Sequence, residues 1–191
     1  MTQTIYDRLL TDYKGRVLAF DQFSREGIDF ASQFSVGLKA YCGISAPAYY
    51  IHGIGNCPYI SFFRMTGYDE PLPSNVTFEK VSSIKDAIYH RFDDSSFYFG
   101  VGFVLEGLSS DIPPSILNFP IECKRHGSNI EVEIAGSRAI SPFIPFTSNE
   151  MSAIYELVVE KLDKWVKERP LSKESLNTMG FQMHSLATQP E

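Results

Sequence analysis

Apolar positions recur at intervals of three and four from Phe23 to Tyr41, at Phe23, Gly27, Phe30, Ala31, Phe34, Leu38 and Tyr41. That spacing predicts a helix with one buried face, and Gly43 is placed to end it. A shorter helix is expected upstream, from about Thr4 to Tyr13, stopped by Gly15. The closing helix carries Met151, Ile154, Tyr155, Val158, Leu162, Trp165 and Val166 as a single stripe. Thr147-x-x-Glu150 forms a capping box at its start, early glutamates and late lysines complement its dipole, and Pro170 stops it. "VSSIKDAIYHRF" opens with Ser83-x-x-Asp86 and reads as a helix of two to three turns, with a strand over "AIYHRF" as the competing reading.

Strict alternation marks the strands. In "FYFGVGFVLE" Phe97, Phe99, Val101, Phe103 and Leu105 share one face, and Tyr98, Gly100, Gly102 and Val104 the other. Two glycines on one strand face imply a close approach to the backbone there. "FPIECKRHGSNIEVEIAG" is a hairpin turning on Gly127-Ser128, which pairs Ile121 with Ile134, Cys123 with Val132 and Lys124 with Glu131. Glu122 opposite Glu133 is the one dissonant pair. "YYIHGIGNCPYISFFRM" is a second hairpin; with Gly55-Asn56 as its two-residue loop, His52 opposes Tyr59, Ile51 opposes Ile60 and Tyr49 opposes Phe62. Tyr49, Ile51, Ile60 and Phe62 then face one way, and Tyr50, His52, Cys57, Tyr59, Ser61 and Phe63 the other. Strands joined mostly by short turns and bracketed by helices describe an α+β fold, with a central antiparallel sheet of about five to six strands. Residues 1–169 are read as one domain and 170–191 as a polar tail, a mobile arm with at most one helical turn, against the heavier reading of plain disorder.

The 191 residues, 43% of them hydrophobic, suffice for one core. A net charge of -6 and no basic cluster longer than "CKRH" argue against nucleic acid as a partner. No apolar run approaches the length of a membrane span, "MTQTIYDRLLTDYKGRVLAF" lacks the features of a signal peptide, and Cys42, Cys57 and Cys123 form no C-x-x-C pair. The expected setting is cytoplasmic, with free thiols and no membrane partner.

Candidate chemistry is sparse. Cys57 and His52 share a face and would serve as nucleophile and base of a thiol enzyme. No residue can be named to orient the imidazole, and no helix start lowers the thiol pKa, so an ordinary half-buried cysteine is preferred. "HRFDD", His90 to Asp94, would gather an imidazole and two carboxylates, against a plain solvated loop. The glycines of "HGIGN" and "FGVGF" do not follow a phosphate-loop pattern. No catalytic set, metal site or cofactor is assigned.

Pro120, Gly127, Phe146, Thr147 and Glu150, spread over "FPIECKRHGSNIEVEIAG" and "PFTSNEMSAIYELVVEKLDKW", are similar to the close of a GAF domain. "FASQFSVGLKAYCGIS" leading into "PAYYIHGI" resembles the opening helix and first strand of that family, and equally the ligand-binding domain of LuxR-type regulators. The Gly-rich motif of GAF proteins that reduce methionine sulfoxide is absent. The resemblance implies N- and C-terminal helices packed on one sheet face and forming a homodimer, with a small molecule on the opposite face. The residues expected to touch that ligand are Tyr50, His52, Tyr59, Ser61, Tyr98, Gly100 and Gly102. The functional expectation is a stand-alone small-molecule-binding or degenerate sensory domain that acts by binding, without catalysis. The alternative is an inhibitor, adaptor or chaperone-like interaction protein, with Phe143, Ile144 and Phe146 as an exposed lip for a protein partner. A thiol enzyme using Cys57 and His52 is the third reading.

Overall fold

The first 37-residue element dominates the architecture: α1 (Ile5–Tyr41) runs unbroken for roughly 55 Å. The computed structural model describes residues 4–51, 55–66, 76–91, 95–106, 115–142, 151–168 and 182–185. The Thr4 hydroxyl accepts from the Asp7 N–H, and the Asp7 carboxylate accepts from the Thr4 N–H, a capping box that starts the helix. Two separate helices were expected here, and Gly15 does not divide them. A solvent-facing glycine costs only about 1 kcal/mol relative to alanine, too little to break a helix capped at one end and anchored by packing at the other. Gly43, at φ +71°, follows the last turn as anticipated.

Ten strands follow. A small two-stranded sheet pairs β1 (Ala48–Ile51) with β2 (Gly55–Pro58). The main sheet is antiparallel and eight-stranded among the described residues. Its path runs β4 (Thr77–Lys80), β3 (Ile60–Thr66), β6 (Ser96–Leu105), β7 (Ser115–His126), β8 (Asn129–Ile134), β9 (Ser137–Pro142). Two short strands complete it: β5 (Tyr89–Arg91) continues the edge of β6 beyond β3, and β10 (Gln182–Ser185) continues that of β7 beyond β8. The fold is therefore α+β, as the alternation of patterns predicts.

The Phe-rich face of β6 lies beneath the helices. Phe97, Phe99, Val101 and Phe103 join Leu117, Phe119, Ile121, Ile130 and Val132 in one core with α1 and α3 (Ser152–Glu168). Phe30 meets Phe97 edge-on at 5.8 Å, and Phe34 meets Phe99 at 6.3 Å and Tyr155 of α3 at 6.1 Å. Burying each such ring contributes about 1.5–3 kcal/mol, so this stripe anchors α1. Where α1 and α3 come closest, the Tyr155 hydroxyl lies against Gly37 in the space a side chain would need. Burial pushes the Tyr155 pKa up to about 12. Glu26, 8% exposed, ties α1 to β7 through Arg125 at 2.8 Å and accepts from Gln22 at 2.9 Å.

The β7–β8 hairpin has the register expected of Gly127-Ser128, with Cys123 opposite Val132 and Lys124 opposite Glu131. Glu122 does face Glu133, and β9 resolves the conflict: Arg138 stands opposite Glu133 and bonds it at 2.8 Å while reaching Glu131 at 3.3 Å.

Three other expectations are corrected. The hairpin from Tyr49 pairs Tyr49 with Cys57, Tyr50 with Asn56 and Ile51 with Gly55, so Gly55 and Asn56 are strand residues and not its two-residue loop. The segment after Ser83 forms only one helical turn, α2 (Ile84–Ala87), and then β5, because "YHR" pairs with β6. Part of the tail read as a mobile helical arm forms β10 and completes β7. Within the predicted stripes, Tyr41 and Val166 are exposed, lying at helix ends that the sheet does not reach. The capping box at Thr147 and Glu150 lies outside the described residues.

Candidate functional site

Sequence reasoning points first to the sheet face away from the helices. Register brings much of it together: Ser61 of β3 lies opposite Gly102 of β6, which lies opposite Asn118 of β7, and Phe63, Gly100 and Pro120 form the next row. Tyr59, Ser61, Tyr98, Gly100 and Gly102 thus share one surface, as the alternation predicts. Tyr50 does not join them. It belongs to the separate β1–β2 sheet, is 65% exposed, and points opposite to Tyr49, whose ring meets Tyr59 at 6.3 Å. The register is the cause: it lies five residues from the one a Gly55-Asn56 loop would set, and an odd shift exchanges the two faces. His52 lies outside the described residues, as do Phe143, Ile144, Phe146, Asp93 and Asp94.

The two glycines were expected to leave open floor on this face, and the chain fills that floor itself. A Cβ on Gly100 would lie 2.6 Å from the Phe78 ring and 3.0 Å from Phe63. One on Gly102 would lie 2.5 Å from the Phe63 ring and 2.8 Å from Asn118 Oδ1. The glycines are therefore packing devices that let Phe63 and Phe78 approach the strand backbone closely, edge to face with each other. Tyr98 is 2% exposed beneath Tyr89, at 4.9 Å between centroids, and beneath the Arg91 guanidinium at 5.2 Å. The Tyr59 hydroxyl donates to the Glu106 carboxylate, and that bond, more than burial, raises the phenol's pKa. Among the described residues, the buried Oδ1 of Asn118 has no hydrogen-bond partner.

Cys57 is half-buried opposite Tyr49. His90 sits in a cage of rings, 5.6 Å from Phe23, 5.9 Å from Phe97 and 6.3 Å from Phe20, with its Nε2 buried and unbonded against Gly27. Burial lowers its pKa, so the cage holds a neutral imidazole. Among the described residues no group of three or more His, Cys, Asp and Glu side chains is placed to hold a metal ion, and no helix is long and apolar enough to cross a membrane.

An exposed apolar stripe on α1 was not singled out from the sequence. Beyond the core, α1 continues with Tyr6, Leu9, Tyr13 and Val17 exposed by 71, 58, 66 and 40%. These residues, with Leu10 and Phe20, prolong the same three-four stripe that buries Phe23, Phe30 and Phe34. Where the helix leaves the sheet, Arg16, Val17, Ala19, Phe20, Phe23 and Ser95 line a groove of about 600 Å³. Carrying the stripe of the second helix back through Gly15 would have revealed it. No family model, curated protein or solved structure matches the chain.

Proposed function

We propose that this protein is a non-catalytic binding module that works by protein contact, with the N-terminal half of α1 as its docking surface. One observation carries the reading: an apolar stripe four turns long, on a regular and capped helix, stands clear of its own core. Patches of several hundred Å² of apolar surface mark interaction sites on soluble proteins, and a helix presenting i, i+3, i+4, i+7 anchors is a recurrent recognition mode. The test compares wild-type protein with Leu9→Asp and Tyr13→Asp variants as bait in lysate of the cells that make it. A partner retained by the wild type and by Leu18→Asp, and lost by both stripe variants, is the expected result. Equal capture by all four baits would overturn the reading.

The small-molecule module, GAF-like in architecture, is a second reading favoured by the unbonded Asn118 Oδ1. A bound polar ligand would supply the missing donor. Phe63 and Phe78 would then have to turn aside to admit it. Native mass spectrometry of gently purified protein tests this reading, and a mass equal to the bare chain, together with no thermal shift across a metabolite set, would exclude it.

A further inference from the structure

The stripe, the groove beside it and the charges flanking it are mutually complementary. We infer that the N-terminal half of α1 pairs antiparallel with the same half of a second copy of this chain, with Tyr13 near the two-fold axis. This inference rests on the protein-contact reading and names the partner.

The stripe is close to symmetric about Tyr13. An aromatic residue stands seven positions away on each side, Tyr6 and Phe20, with aliphatic Leu9, Leu10 and Val17 between. A two-fold axis perpendicular to the helix therefore sets Tyr6 against the partner's Phe20 and Leu9 against the partner's Val17, with Leu10 along the aliphatic stem of the partner's Arg16, the self-complementarity that an isologous dimer requires. It also lays the partner's Tyr6 beside Val17 and Phe20, at the mouth of the groove lined by Phe20, Phe23 and Ser95. In a parallel pair Tyr6 would meet the partner's Tyr6 and Phe20 the partner's Phe20, and neither Tyr6 would reach a groove.

Charge agrees with this arrangement. On one flank of the stripe Asp12 comes within one turn of the partner's Arg16, and symmetry makes that contact twice. The energetics of the helix point the same way. Residues 5–19 bury almost nothing against the rest of the chain, and their helix includes Gly15. Helical stretches of about 12–15 residues are marginal in water, and in proteins most helical stability comes from packing an amphipathic face. A second copy supplies that packing along about 24 Å of helix, and the groove walls extend the interface toward the area that specific interfaces bury.

Light scattering on the purified chain, combined with sedimentation, tests the pairing. The expected species has twice the 21.5 kDa chain mass. Tyr13→Asp and Leu9→Asp each weaken the dimer by about 30-fold or more, as loss of a central interface anchor does. Leu18→Asp leaves it unchanged, because Leu18 is 68% exposed but lies about 140° around the helix from Tyr13. Circular dichroism on each variant separates lost pairing from lost helix. Direction is read by oxidising mixtures of Tyr6→Cys and Val17→Cys chains in a Cys42→Ser, Cys57→Ser background. The mixed disulfide is expected, and like-with-like Tyr6→Cys disulfides would overturn the antiparallel arrangement.

A monomer at high micromolar concentration, or a dimer that loses as much to Leu18→Asp as to Tyr13→Asp, would overturn self-pairing. A monomer whose stripe still captures a different protein from lysate would sink self-pairing and leave the protein-contact reading standing. A monomer that captures nothing would sink both.

Discussion

The two halves of α1 share one helix and one hydrophobic period, yet they live in different surroundings. From Phe23 to Leu38 the stripe is buried: Phe30, Phe34 and Leu38 are fully covered by the sheet and α3. From Tyr6 to Val17 the same period faces solvent. Periodicity states that a face is apolar, and the tertiary structure states what covers it. In the C-terminal half the cover is this chain; in the N-terminal half the cover we infer is another.

Substitution in the two halves should therefore separate widely. Phe34→Ala removes a ring packed on Phe99 and Tyr155 and is expected to cost about 3–5 kcal/mol in urea unfolding. Tyr13→Ala, measured in solution dilute enough to keep the chain monomeric, should stay within about 0.5 kcal/mol of wild type. Similar costs for the two would mean that the N-terminal half is covered within the monomer, and the contrast would collapse.

The glycines sharpen the contrast. Gly37→Ala drives a methyl into the Tyr155 hydroxyl and should cost about 1–3 kcal/mol through overpacking. Gly15→Ala meets nothing within 4 Å and should stabilise the helix by about 0.5–1 kcal/mol, seen as raised helicity and a raised unfolding midpoint. One helix would then answer the same substitution with opposite signs.

The smallest expected effect lies at the boundary between the halves, where His90 sits between Phe20 and Phe23. Burial holds its folded pKa below the unfolded value of about 6.5. The neutral imidazole's contribution is therefore full above that pH and is lost as pH falls through the folded pKa. Unfolding midpoints across the acid range should show this decline, and His90→Phe should flatten it. A slope unchanged by His90→Phe would place its origin in the carboxylates instead.

Local chemistry was legible wherever the decisive interactions lie close along the chain. Gly127-Ser128 set the β7–β8 register because a two-residue loop leaves it no freedom, and Ser83 is the cap its spacing to Asp86 announced. The alternation of β6 placed Tyr98, Gly100 and Gly102 on one face, with the phenylalanines under the helices. The hairpin from Tyr49 misled because Gly55-Asn56 has the right composition for a turn, while both residues pair with β1 as part of β2. Tyr50 changed face with it. Whether the glycines of β6 opened a ligand floor was equally undecidable from the strand, since the rings that cover them come from β3 and β4.

What the sequence determined by itself was the apolar face from Phe23 to Leu38, the alternation of β6, the Ser83 cap, the Gly127-Ser128 turn and the α+β class, all of which follow from periodicity and backbone chemistry over a few residues. What only the tertiary structure decided was which faces meet: α1 as one helix across Gly15, β10 completing β7, Arg138 reconciling Glu122 with Glu133, and a stripe that outruns its own core. Those outcomes depend on contacts between residues distant in sequence, where local free-energy differences of about 1 kcal/mol are outweighed by the burial of whole faces.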